Sequence, residues 1–327
     1  MCLYPRLIKN RKYTANKKNG GIIPPVSDIR TTMVPVGCGK CMECMKQKAR
    51  QWQVRLLEDI KTNKNGKFIT LTFSTDKLQE LARENEKYKG YDLDNAIATM
   101  ATRRFLERWR KEYKKSLRHF LITELGHGET EHMHMHGIIW TDQPLEKILD
   151  KWQYGYVWIG KGDKKENYVN ERTVNYIIKY IMKIDKEHKE YKPIILTSPG
   201  IGKNYLNTYN SEKNKYNGAD TKETYRTKSG HEISLPIYYR NKIYSDEERE
   251  KLWLLKLDKQ TRWVCGEKVD ISKTDKEYWN LVKWYRQKNK EMGYGDDQMT
   301  YEEWEYKNNL RNLKLMERIR PLRGPEE

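Results

Sequence analysis

Residues 118–140 read RHFLITELGHGETEHMHMHGIIW, and the fold turns on them. Two strand-like runs, RHFLITEL at 118–125 and HMHMHGIIW at 132–140, flank a glycine-containing turn, which makes them natural antiparallel partners. In the second run His132, His134 and His136 lie two apart. On an extended strand they share one face while Met133 and Met135 point to the other. That is a metal-binding geometry. A tight hairpin also brings Glu124 across from the histidines, giving two imidazoles and one carboxylate and leaving coordination positions open for a substrate. A lone His-x-His is more often a half-exposed strand with merely polar histidines, but the Glu-bearing partner strand weighs against that reading.

Outward from this hairpin, strands and helices alternate without obvious repeats. Ala49, Trp52, Val54, Leu56, Leu57 and Ile60 set a helical pattern from about Glu43 to Lys61, and an Asn/Gly turn leads into KFITLTF, which alternates like a strand. A short helix near Asp76–Glu86 and a long one over Leu93–Lys115 precede the hairpin, the long one with Ala96, Met100, Phe105 and Trp109 on one face. After it, Pro144 opens a short helix, YGYVWIG reads as a strand, and ERTVNYIIKYIMKI reads as a helix from Glu171 to Ile184. The remainder holds KPIILTSPGIGKNYL, a loop around Asn217, LPIYYRNKIY and charged helices with Trp253, Trp279, Trp284 and Trp304, a mainly helical region.

On the 171–184 helix Tyr176 and Tyr180 are four apart, so their hydroxyls project from one face, and Lys179 and Lys183 follow three residues after each. Two phenols and two ammonium groups can meet one phosphate there. A phenol with a pKa of about 10 attacks poorly at neutral pH, but a phosphate-polarising metal and a nearby lysine favour phenolate. The product would be a phosphotyrosine ester with DNA. For an isolated YxxxY an aromatic core face is commoner, and the position after the histidine strand shifts that judgement.

Composition points to the same substrate. Of 327 residues 64 are Lys or Arg against 46 Asp or Glu, a formal charge of +18 spread along the chain, which attracts polyanions. The aromatic share of 11% is mostly Tyr and Trp, whose flat faces beside positive charge suit single-stranded nucleic acid. No stretch approaches the roughly 18–20 apolar residues of a membrane span, and MCLYPRLIKNRKY lacks a signal-like apolar run, so the expected setting is cytoplasmic with reduced thiols. Cys38, Cys41 and Cys44 form CxxCxxC, and Cys2 is available as a fourth thiolate for a tetrahedral zinc site. Free thiols or an iron–sulfur cluster are the alternatives. GYVWIGKG at 155–162 has Gly162 where a phosphate-binding loop needs Ser or Thr, which argues against NTPase activity. GIGK at 200–203 reads as a plain turn with at most a weak DNA contact.

Through HMHG, TELG and YIIKYIMK the chain resembles the HUH endonucleases, and more closely the replication initiators of the Microviridae, phages of the gokushovirus and alpavirus kind. CGKCMEC, SPGIGKNYL and LPIYYRNKIY extend the resemblance over most of the chain. It implies an α+β fold, a central antiparallel sheet flanked by helices (a ferredoxin/RRM-like palm), with a mainly helical C-terminal region. The implied division is a basic N-terminal arm with the cysteine cluster at 1–45, an HUH endonuclease domain at 46–190 and a C-terminal region at 191–327 suited to DNA binding. It further implies His134 and His136 as metal ligands with Glu124 as the third, Tyr176 and Tyr180 as nucleophiles beside Lys179 and Lys183, and Mg2+ or Mn2+ as the ion. His132 lies outside the two-histidine core.

The implied activity is rolling-circle initiation. One tyrosine nicks the origin strand, leaving a 5′ phosphotyrosine and a 3′ hydroxyl for polymerase, and the second tyrosine terminates and recircularises. Single-stranded DNA, the replication origin, and a host helicase and DNA polymerase are the implied partners, in the cytoplasm of a bacterial host and without a membrane. Other readings are a relaxase or transposase of the same chemistry, a two-histidine, one-carboxylate iron oxygenase, and a nonenzymatic zinc-stabilised DNA-binding protein.

Overall fold

Period-two runs become strands and period-3.6 runs become helices in the computed structural model, which describes residues 2–127, 131–159, 169–185, 187–188 and 191–295. The chain starts with β1 (Arg6–Lys9) and β2 (Met33–Val36), an antiparallel pair. Then follow α1 (Met42–Thr62), β3 (Gly66–Thr72), α2 (Thr75–Arg83), α3 (Gly90–Tyr113), β4 (Arg118–Leu125), β5 (Met133–Trp140), α4 (Leu145–Lys151), β6 (Val157–Trp158), α5 (Glu171–Met182), β7 (Ile195–Thr197) and α6 (Tyr209–Glu212). The last part holds the hairpin β8 (Thr224–Arg226) and β9 (Glu232–Ser234), α7 (Ile237–Ile243), α8 (Asp246–Asp258), the hairpin β10 (Thr261–Val264) and β11 (Glu267–Asp270), and α9 (Lys276–Glu291). Two compact units result, one of Lys48–Glu212 and one of Met1–Gln47 with Lys213–Glu327.

In the Lys48–Glu212 unit five strands form one sheet in the order β6-β3-β5-β4-β7, every pair antiparallel. This is the α+β architecture with a central antiparallel sheet flanked by helices. Side chains alternate across it. Leu71, Leu121, Met135 and Ile139 join Leu81 of α2, Phe105 of α3 and Ile148 of α4 in one core layer. Phe68, Phe120, Ile122 and Ile138 join Leu56 of α1 and Ile177 and Ile181 of α5 in the other.

Met135 and Ile139 are fully buried, each stabilising by roughly 1.5–3 kcal/mol. A one-residue slip of β5 would exchange them with His134 and His136, so the register is strongly specified. Gly137 sits where the backbones leave no room: a Cβ there would lie 2.0 Å from the Phe120 carbonyl oxygen.

Three local outcomes differ from the sequence expectation. The strand expected over YGYVWIG is confined to Val157–Trp158, because Gly155 passes so close to β3 that a Cβ would meet the Thr72 oxygen at 2.5 Å. Helix α5 ends at Met182, Lys183 being extended with ψ 125°. In GIGK the Gly202 amide donates to buried Asp59 at 2.8 Å, Arg55 Nε donates to the Ile201 carbonyl at 3.0 Å and Ile201 is fully buried, so the turn anchors the fold. Gly160, Lys161 and Gly162 of the glycine loop and Trp304 lie outside the described residues.

The second unit has its own core, formed by Leu3, Cys41, Met42, Val264, Val269, Tyr278, Val282 and Tyr285. The Met42 amide donates to Asn289 Oδ1 at 2.7 Å and Arg286 Nε donates to the Leu3 carbonyl at 2.9 Å, tying α9 to the start of the chain. Among the described residues no helix is long and apolar enough to cross a membrane.

Candidate active site

The β4–β5 register sets Glu124 opposite His134, and the β3–β5 register sets Thr70 opposite His136. All four side chains fall on the α5 side of the sheet, opposite Met133 and Met135. Glu124 Oε2 lies 3.0 Å from His134 Nε2 and 2.8 Å from His136 Nε2. Ligands about 2.1 Å from one ion and at right angles are about 3.0 Å apart, so the three donors fit a divalent cation. Thr70 Oγ1 hydrogen-bonds His136 Nδ1 at 2.9 Å and orients that ring from behind. The other Glu124 oxygen pairs with Lys183.

Burial pushes the Glu124 carboxyl up, but the hydrogen bonds from His134, His136 and Lys183 outweigh it and hold the group well below the usual carboxylate range. Burial also pulls His136 down, against the pull of Glu124, so the imidazole is kept neutral as a ligand must be.

Asn170 caps α5, its side chain accepting from the Thr173 amide at 3.1 Å and its own amide donating to Thr173 Oγ1 at 3.3 Å. Val174, Ile177, Ile178 and Ile181 bury one stripe of the helix, and this rotation turns the tyrosines toward the histidines. Tyr180 stacks on His136 with ring centroids 4.3 Å apart, and its hydroxyl donates to that of Tyr176 at 2.6 Å. Tyr176 meets Phe68 edge-on, and Lys179 Nζ lies 3.9 Å from the centre of the Tyr176 ring. Burial first, and the contact with Tyr176 second, push the Tyr180 phenol far up.

The structure thus gathers Glu124, His134, His136, Tyr176, Tyr180, Lys179 and Lys183 in one place. His132 stands apart, with Nε2 3.4 Å from Thr75 Oγ1. Sequence reasoning missed Thr70, although the alternation of KFITLTF places it on the same face as Phe68 and Thr72. It also missed His127, Glu187 and His188, which form a second group of metal-capable side chains. His127 Nδ1 lies 3.0 Å from Glu187 Oε2 and its Nε2 lies 3.3 Å from Lys183 Nζ. These residues come from two separate loops, so no spacing announces them.

In the other unit the four cysteines converge. The Sγ atoms of Cys2 and Cys41 are 3.8 Å apart and those of Cys38 and Cys44 4.0 Å, too far for a disulfide and close to the edge of about 3.8 Å that a tetrahedron with Zn–S bonds of about 2.3 Å requires. The amides of Tyr4 and Cys38 donate to Cys2 Sγ and those of Lys40 and Cys41 to Cys38 Sγ, at 3.2 to 3.4 Å. Cys38 is held far below the usual thiol range, chiefly by its contact with Cys2, and the same neighbour brings Cys41 down to about 7. Such a tetrad can hold a metal ion.

Fold and site together define a class: an antiparallel sheet that offers a two-histidine, one-glutamate cluster to a helix bearing two tyrosines. Residues 66–185 match the family model of the replication-associated protein ORF2, a span running from the first residue of β3 past the end of α5. No curated protein and no solved structure matches the chain.

Proposed function

We propose that the protein initiates rolling-circle DNA replication by nicking the origin strand through tyrosine transesterification. The observation that carries this is the stacking of Tyr180 on His136, with the Tyr176 hydroxyl 2.6 Å from that of Tyr180, beside a carboxylate and two imidazoles that fit one divalent cation. The family match to a replication-associated protein supports the initiator role.

Glu124, His134 and His136 would hold Mg2+ or Mn2+, which polarises the scissile phosphate and stabilises charge on its oxygens. The tyrosine oxygen bonds to phosphorus, the bond to the 3′ oxygen breaks, and the strand stays attached as a 5′ phosphotyrosine ester. The ester keeps the energy of the broken bond, so a second transfer can rejoin the displaced strand. Lys179 supplies positive charge at Tyr176, and Lys183 neutralises the outer oxygen of Glu124. Helicase and polymerase functions come from host proteins, and the basic, aromatic surface holds single-stranded DNA. We assign the cysteine tetrad to structural Zn2+, all four positions being filled by protein thiolates.

The test is incubation with 3′-labelled single-stranded oligonucleotides in Mn2+ or EDTA, followed by a denaturing gel. A Mn2+-dependent labelled protein band is expected. DNA binding without any band would favour a nonenzymatic DNA-binding protein. Transfer between strands without origin preference would favour the relaxase or transposase reading.

A further inference from the structure

We propose that the two tyrosines have fixed and unequal roles, Tyr176 making the first cut and Tyr180 serving first as its hydrogen-bond donor and then as the second nucleophile. This rests on the nickase reading above and assigns an order within it.

The two phenols share one helix face but not one environment. Tyr176 is 42% exposed, whereas Tyr180 is 8% exposed and lies flat against His136. A phosphodiester arriving from solvent meets the Tyr176 hydroxyl, and reaching Tyr180 would require its ring to leave the histidine. The hydrogen bond between them also has a direction, from the Tyr180 hydroxyl to the Tyr176 oxygen. An accepting phenol gives up its own proton more readily than a donating one, and the Lys179 ammonium 3.9 Å from the Tyr176 ring centre adds to that preference. The Phe68 edge against Tyr176 fixes the ring without covering the hydroxyl side.

The first step balances without any redox partner. The Tyr176 proton leaves to solvent, the Tyr176 oxygen bonds to phosphorus, the bond from phosphorus to the 3′ oxygen breaks, and that oxygen takes up a proton. Esterification then changes the pair. An aryl phosphate ester oxygen is a poor acceptor, so the Tyr180 hydroxyl loses its partner and is released for the second transfer. The order of the two cuts is thus set by a hydrogen bond that the first cut destroys.

Trypsin separates the two candidates, because Arg172, Lys179 and Lys183 leave Tyr176 on the peptide 173–179 and Tyr180 on the peptide 180–183. The full chain is mixed with a randomised library of 3′-fluorescein-labelled single-stranded oligonucleotides in Mn2+, quenched early, digested and read by mass spectrometry. The early adduct is expected on 173–179. Tyr176→Phe should lower the first adduct at least about a hundredfold. Tyr180→Phe should slow it on the order of tenfold, the loss of one charge-assisted donor, and abolish transfer to a second oligonucleotide. Both variants keep the ring, and an unchanged melting temperature verifies the fold. An early adduct on 180–183, or equal adducts on both peptides, overturns the assigned order while leaving the nickase reading intact. No adduct on either peptide of the unaltered protein overturns the nickase reading itself.

Discussion

One oxygen of Glu124 faces both imidazoles and the other faces Lys183, so the side chain is the pivot of the site. Its carboxyl is held down by those partners, hence its contribution to stability is complete above the ordinary carboxyl value of 4.5 and is lost as pH falls below it. Glu124→Gln keeps the shape and removes the charge. The variant should bind Mn2+ at least about tenfold more weakly by calorimetry. Its deficit in melting temperature relative to the unaltered protein should shrink as the pH is taken from neutral into the acid range, and a deficit independent of pH would remove the carboxylate from this role. Gly137, one residue past His136, makes the opposite point, since its importance is the absence of a side chain. Gly137→Ala puts a carbon on the Phe120 carbonyl, and the β4–β5 pair must part, at a cost of about 3 kcal/mol. Chemical denaturation would show it as a lowered midpoint, and an unchanged midpoint would mean that the sheet yields there freely.

At the scale of elements, α5 is aimed by its cap and by one buried stripe, and β4 is clamped from outside. Asn170→Ala should cost about 1 kcal/mol and fray the turn that precedes Tyr176. Asp59 of α1 is 1% exposed, pairs with Arg118 at the start of β4 and accepts from the Gly202 amide. Asp59→Ala leaves Arg118 partly buried without that partner and should lower stability by about 3–5 kcal/mol, read by urea unfolding, whereas a surface pair would cost under about 1.

These two elements also divide what the sequence disclosed from what it hid. Alternation in 118–125 and 133–140 and the 3.6 period of 171–182 are local signals, and Glu124, His134, His136, Tyr176 and Tyr180 converge because those signals fix both the faces and the helix rotation. Thr70 was legible by the same parity and needed only the β3–β5 register. The clamp was not legible, because Asp59 and Gly202 are 143 residues apart and nothing in either neighbourhood marks the other. Backbone crowding at Gly155 was hidden for the same reason, and so the short β6 was read as a longer strand.

For the whole molecule, a formal charge of +18 and two units with separate cores lead to two further expectations. Binding of single-stranded DNA should weaken log-linearly with salt, with a slope of about −0.7 per phosphate neutralised, and a flat response would deny the basic surface its role. The second expectation concerns the cysteine tetrad, whose members span the chain from Cys2 to Cys44 within the unit completed by residues 213–327. Zinc there would hold the start of the chain against the Leu3, Val282 and Tyr285 core, and its binding free energy would be folding free energy of that unit alone. The sheet that carries Glu124 and the tyrosines has its own two core layers and no thiolate ligand. Treatment with a zinc chelator such as 1,10-phenanthroline, or the Cys41→Ser variant, should therefore release one zinc equivalent by metal analysis and lower one of two calorimetric transitions. The transition of the sheet unit should stay in place. Zinc-free protein with both transitions unmoved would return the four cysteines to the status of free thiols.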